Sequence, residues 1–236
     1  MHRSNIGAVH TISSYIFIMG RILLFTFIHY KSLLLSLVFA IALVTTRVVI
    51  TGSLFYTFLI WNLFLAVVPY LLTQTVFWYS YGRINTFFRL TLFATWLVLL
   101  PNAPYIITDL IHLQSQYSFW KWLDLFIVFV FAFNGLLFGI LSLNDVFGFL
   151  QYHFKEKWAL FIIFCICILS GYGIYLGRFL RFNSWDILFR PQLLTQEILT
   201  SLMETRAWLM TFAFGLFFWM VFTMLRWVKE KNQVLY

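Results

Sequence analysis

Apolar residues in this chain come in unbroken runs rather than at every second position. A membrane β-strand alternates apolar and polar residues, whereas a spanning helix needs about 20 mostly apolar residues in succession. The runs therefore predict helices, with spans near residues 33–50, 54–72, 87–100, 122–143, 158–177 and 207–225. The third is short unless it continues through Pro101-Asn102-Ala103-Pro104. An earlier apolar stretch, 12–28, carries Arg21 at its middle, which costs about 2.5–3.5 kcal/mol at the bilayer centre on insertion scales. A surface-lying helix is expected there, with a seventh span as the alternative. No signal peptide is predicted, because this stretch passes straight into the next and Ala40-Ile41-Ala42 lies inside a span.

The expected fold class is all-α, a polytopic transmembrane helical bundle of about six spans, seven if 12–28 crosses, with short interfacial helices on its outer face. A cytoplasmic or interfacial segment 1–31 precedes a membrane domain, 32–226, and a basic cytoplasmic tail, 227–236. No sequence repeat and no Pro/Gly/Ser-rich linker divides the chain.

Composition removes the soluble alternatives. With 62% hydrophobic and 10% charged residues, the polar side chains are too few to cover a water-exposed surface of this size. A cytosolic enzyme, a disordered chain and a disulfide scaffold are excluded, and nucleic acid is not an expected partner for the net charge of +8. Basic loops instead set topology and attract anionic lipid head groups. Six spans place Arg3, Arg21, Lys31, Arg83, Arg89, Lys155, Lys157, Arg226, Lys229 and Lys231 on one side, against Arg47, Lys121, Arg178, Arg181, Arg190 and Arg206 on the other. The richer side is cytoplasmic by the positive-inside rule, so both termini are expected there, with the loops after spans one, three and five facing outward.

Two outer segments concentrate the polar chemistry. In 101–113, Pro101 ends or kinks the third span, Asn102 suits a helix cap and Pro104 suits a first turn. A helix starting near Ala103 would carry Tyr105, Thr108, Asp109, His112 and Gln116 on one face, with Ile106, Ile107, Leu110 and Ile111 opposite. Asp109 and His112, three residues apart, suit an acid/base pair or a ligand site. An interfacial helix whose polar face meets water and head groups fits the pattern too. His-Glu-x-x-His and Gly-x-Ser-x-Gly are both missing from the sequence, so the common metalloprotease and serine-hydrolase templates do not apply. No metal site is expected, and no motif names a cofactor.

In 171–186, Leu176 stands where a dinucleotide loop needs its third Gly. Ser170, Gly173 and Gly177 instead form a small-residue stripe suited to close packing, like Gly135, Gly139 and Ser142 on the fourth span. Arg178 and Arg181 share a face where the helix leaves the hydrocarbon. They either snorkel to phosphates or turn inward, to pair with Asp109, Asp124 or Asp186 or to grip an anionic substrate. Asn183 or Ser184 can cap a following turn completed by Asp186. The expected ligand-binding set is Asn102, Tyr105, Arg178, Arg181, Asn183 and Asp186, with Asp109 and His112 as catalytic candidates. Asp124 is explained equally by a helix start, while Asn144 and Asp145 mark the inner end of span four. Arg47 and Asn62 either snorkel or bond across helices. Residues 196–206 suit an interfacial helix with Ile198, Leu199, Leu202 and Met203 on one face. Cys165 and Cys167, about 200° apart on a helix, are expected to be ordinary thiols.

Between Arg47 and Leu225, through Trp61-Asn62-Leu63-Phe64-Leu65-Ala66, the Pro101 to Leu113 block and the Gly171 to Asp186 block, the chain resembles the bacterial membrane-protein family called domain of unknown function 1361. The resemblance implies a multi-pass protein of the bacterial plasma membrane and no particular reaction. Three functions remain in contention. One is a binding or catalytic site at the outer interface for an anionic lipid or envelope precursor. The second is a non-catalytic assembly factor that binds another membrane protein. The third is a transporter, disfavoured by span interiors poor in ionisable groups.

Overall fold

The computed structural model describes residues 30–79, 85–114 and 120–234. The stretch 12–28, Arg21, Arg83 and Gln116 lie outside them. Among the described residues there is no strand. The helices are α1 (Tyr30–Thr51), α2 (Phe58–Tyr79), α3 (Thr86–Leu99), α4 (Asn102–Tyr105), α5 (Lys121–His153), α6 (Glu156–Arg178), α7 (Asp186–Phe189), α8 (Pro191–Ser201) and α9 (Thr205–Val234). Short 3-10 segments cover Phe55–Thr57 and Ile106–Gln114.

Among the described residues, six helical stretches are long and apolar enough to cross a membrane, starting at Tyr30, Phe55, Thr86, Lys121, Glu156 and Thr205. The chain is a multi-pass membrane protein in contact with the lipid bilayer. Exposed Phe129, Phe133, Phe161 and Leu209 are what a lipid-facing surface requires. The third span does continue through its prolines, as one helical run from Thr86 to Leu113.

The described residues before Arg47 and those from Arg47 onward fall into two compact units, and the second holds the features that follow. Its centre is α5, with 61% of its most apolar stretch buried, more than any other span. Trp96 of α3 and Leu100 just beyond it, Ile140 and Leu143 of α5, Ile163 and Cys167 of α6, and Phe218 and Phe222 of α9 form one apolar core. Pairing of α6 with α9 depends on two glycines. A Cβ at Gly171 would collide with the Thr211 carbonyl oxygen, and one at Gly215 would lie 2.8 Å from the Ile168 Cα.

α5 runs to His153, beyond the expected end near Leu143. Its 33 residues measure about 50 Å, against a hydrocarbon core of about 30 Å. Asp145 does not stop the helix because its carboxylate accepts hydrogen bonds from Thr73 Oγ1 and Gln74 Nε2 of α2, both at 2.7 Å. Residues 196–206 are not one helix either. Pro191 opens α8 at its first turn, and the chain breaks at 202–204 before α9. Leu194 is buried, while Leu199 and Met203 point outward.

Candidate functional site

The site is built on the junction of α3 and α4. α3 ends at Leu99, and Asn102 does not cap α4 as the sequence suggests. Its amide donates to the Leu99 carbonyl (2.8 Å), closing the last turn of α3, and to Ser184 Oγ (3.1 Å). Ser184 in turn donates to the Val98 carbonyl at 3.2 Å. The two polar segments are thereby joined through side chains.

Both small-residue stripes serve this junction. A Cβ at Gly135 would lie 2.7 Å from the Ala103 carbonyl oxygen, and one at Gly139 2.8 Å from the Ala103 Cβ. On the other side, a Cβ at Gly173 would lie 2.5 Å from Pro101 Cγ, and one at Gly177 3.1 Å from the Tyr105 ring. α4 is wedged between α5 and α6, and a Cβ at Gly135, Gly139 or Gly173 would require something to shift.

Beyond Tyr105 the backbone tightens into the 3-10 segment, with three residues per turn. Residues three apart stack in line there, so the expected division into two faces does not hold. Ile106 and Asp109 lie in line and are both buried, rather than on opposite sides. Asp109 is only 1% exposed and does not meet bulk water. Its Oδ2 accepts from Asn62 Nδ2 (2.9 Å) on α2, and its Oδ1 from Arg178 Nη1 (3.2 Å) at the end of α6. Burial of a carboxylate is tolerable only with such donors.

Asp109 and His112 do not hydrogen-bond to each other; Oδ1 and Nε2 are 3.9 Å apart. Arg178 bridges them, with Nη1 and Nη2 at 3.5 and 3.4 Å from His112 Nε2. A guanidinium has no acceptor, so Nε2 must present its lone pair in these contacts. The imidazole is set edge-on against Phe58 and Phe55, at 5.5 and 6.2 Å between ring centroids.

After α6 the chain turns through Arg181, whose φ of 58° is the one positive value at a non-glycine residue among those described. Phe182 N–H returns to the Leu176 carbonyl at 3.1 Å. Left-handed backbone costs about 1–2 kcal/mol at such a residue. Arg181 is exposed along the cavity, and among the described residues no carboxylate pairs with it. Asp186 behaves differently. Its Oδ2 accepts from the Asn183 backbone N–H at 2.7 Å, so it fastens the start of α7 and does not line the cavity.

Arg47 and Asp124 form a separate buried pair. Arg47 Nε lies 2.9 Å from Asp124 Oδ1 and Nη2 3.4 Å from Oδ2. Neither borders the cavity, so Arg47 adds no charge to its lining.

The cavity itself measures about 520 Å³. Asn102, Tyr105, Asp109, His112, Arg178, Arg181, Asn183 and Ser184 give it a polar end. Leu65, Leu97 and Leu169, further along their helices from these groups, give it an apolar one. Asn62, Phe58 and Tyr172 also line it and are absent from the sequence-based ligand set. The signal for Asn62 is a lone amide in an apolar span, a position that needs a partner. Tyr172 gives none, being one aromatic among many. Among the described residues no three His, Cys, Asp or Glu side chains converge as a metal site would require.

No curated protein and no solved structure matches the chain. The family described as a protein of unknown function (DUF1361) matches residues 61–221, a range narrower than the expected 47–225. It begins at Trp61, beside the asparagine that holds Asp109, and takes in both segments joined at the cavity, so the chain belongs to that family.

Proposed function

We propose that the cavity receives the anionic head group of a phosphate-bearing amphiphile, a lipid or an envelope precursor, at the extracytoplasmic face of a bacterial plasma membrane. The observation that carries this reading is the charge of the lining: two guanidiniums, Arg178 and Arg181, against the single carboxylate of Asp109. A partly desolvated site with an excess of Arg favours a group of opposite charge that accepts paired hydrogen bonds. Arg178 is aimed by Asp109 and His112, while no carboxylate among the described residues engages Arg181. The distribution of Lys and Arg along the chain supports an outward position for this end of the bundle.

Asp109 and His112 would be the acid–base groups if the bound molecule is also transformed. Arg178 stands between them, so the geometry supports recognition more directly than proton transfer from one to the other. Dodecyl phosphate titrated into the protein in zwitterionic nanodiscs tests the reading by calorimetry. Arg178→Gln and Arg181→Gln should each weaken binding about tenfold or more, the usual worth of a charged hydrogen bond. Affinity unchanged in both variants contradicts the reading.

A further inference from the structure

We infer that the amphiphile's hydrocarbon chain lies in the apolar arm of the same cavity and arrives sideways from the bilayer, between α2 and α6. This rests on the head-group reading and adds the tail to it. The cavity follows both helices away from its polar end. On α2 the lining passes from Asn62 to Leu65, and on α6 from Arg178 to Leu169. Nine helical residues separate Arg178 from Leu169, about 13 Å along the axis. The arm therefore sinks well below the head-group level, into the depth occupied by acyl chains.

Its sides are open in the right direction. Leu169 in the arm and Trp61 at the level of Asn62 line the cavity and are each 55% exposed. In a spanning helix that exposure faces lipid. α2 and α6 both line the cavity without packing extensively on one another, whereas α4 packs against each. A cleft between two spans, polar at the interface and apolar below it, matches a molecule with a phosphate at one end and an alkyl chain at the other. A free anion needs only the upper part.

A dodecyl phosphate carrying a terminal diazirine tests the placement, with ethyl phosphate as the tailless control. In nanodiscs, photolysis followed by peptide mapping should concentrate adducts at Leu65, Leu97 and Leu169. Leu65→Trp, which fills the arm, should weaken dodecyl phosphate at least tenfold and leave ethyl phosphate within twofold. Adducts no denser in the arm than at lipid-facing Phe129 and Phe161 overturn the inference. So does equal loss of both probes in Leu65→Trp, or equal affinity of the wild-type protein for both. In those cases Arg178-dependent binding of ethyl phosphate would leave the head-group reading standing. If neither probe depends on Arg178, that reading falls as well.

Discussion

Breaking the buried Arg47–Asp124 pair should cost far more than removing it whole. The two side chains are 3% and 1% exposed. The remaining guanidinium nitrogen, Nη1, donates to Thr51 Oγ1 at 3.1 Å and to the Ser53 carbonyl at 3.2 Å. The Tyr56 ring covers the guanidinium at 4.7 Å. Asp124→Asn keeps the shape and deletes the countercharge, leaving a guanidinium without bulk water. Removing one partner of such a pair typically costs about 3–5 kcal/mol, a large part of a domain's total of about 5–15. Arg47→Met strands the carboxylate and should cost a similar amount. Arg47→Met with Asp124→Leu replaces both charges by apolar groups, which is often neutral or stabilising. Unfolding by SDS in mixed micelles, followed by circular dichroism, gives the four free energies. Recovery in the double variant is the expected result. Single losses below about 1 kcal/mol, or a double loss equal to their sum, would mean that the two charges do not depend on one another.

Gly173→Val should drive a branched side chain into the rigid Pro101 ring, where even a Cβ comes to 2.5 Å. Overpacking of this kind costs about 1–3 kcal/mol, and a melting temperature equal to wild type would count against the wedge. Asn62→Leu withdraws a donor from buried Asp109 and should destabilise by about 1–3 kcal/mol in the same SDS titration. An unchanged midpoint would mean that Asp109 does not depend on α2. In micelles a maleimide should label half-buried Cys165 in the folded protein and reach buried Cys167 only after unfolding. Equal labelling rates would show that α6 is rotated about its axis.

The spans are legible because each is an uninterrupted apolar run, and only a helix satisfies its own backbone in lipid. The ends are less so. Asp145 reads as the close of span four, yet α5 continues past it because Thr73 and Gln74, more than seventy residues earlier, supply its hydrogen bonds. Periodicity also misleads locally. Ile106 and Asp109, three residues apart, lie in line on the 3-10 segment that follows Pro104 and are both buried, so a division of this stretch into one polar and one apolar face does not hold. Within the site, residue types can be read from the sequence but pairings cannot. Arg178 and Arg181 stand three apart with three nearby aspartates available, and nothing in the chain says that Asp109 takes Arg178, Asp124 takes Arg47 and Asp186 takes a backbone N–H. Asn62 illustrates the same gap, since its partner lies 47 positions away.

Residues 101–112 and 178–184 meet at one pocket, and a cross-link between Asn102 and Ser184 probes that meeting at its point of contact. Their side chains touch at 3.1 Å. With Cys165 and Cys167 replaced by Ala, Asn102→Cys combined with Ser184→Cys should be bridged rapidly by a short bis-methanethiosulfonate in intact membranes. Treatment with dodecyl phosphate beforehand should slow the reaction. Two thiols that both react with a monofunctional reagent but are never bridged would contradict the account.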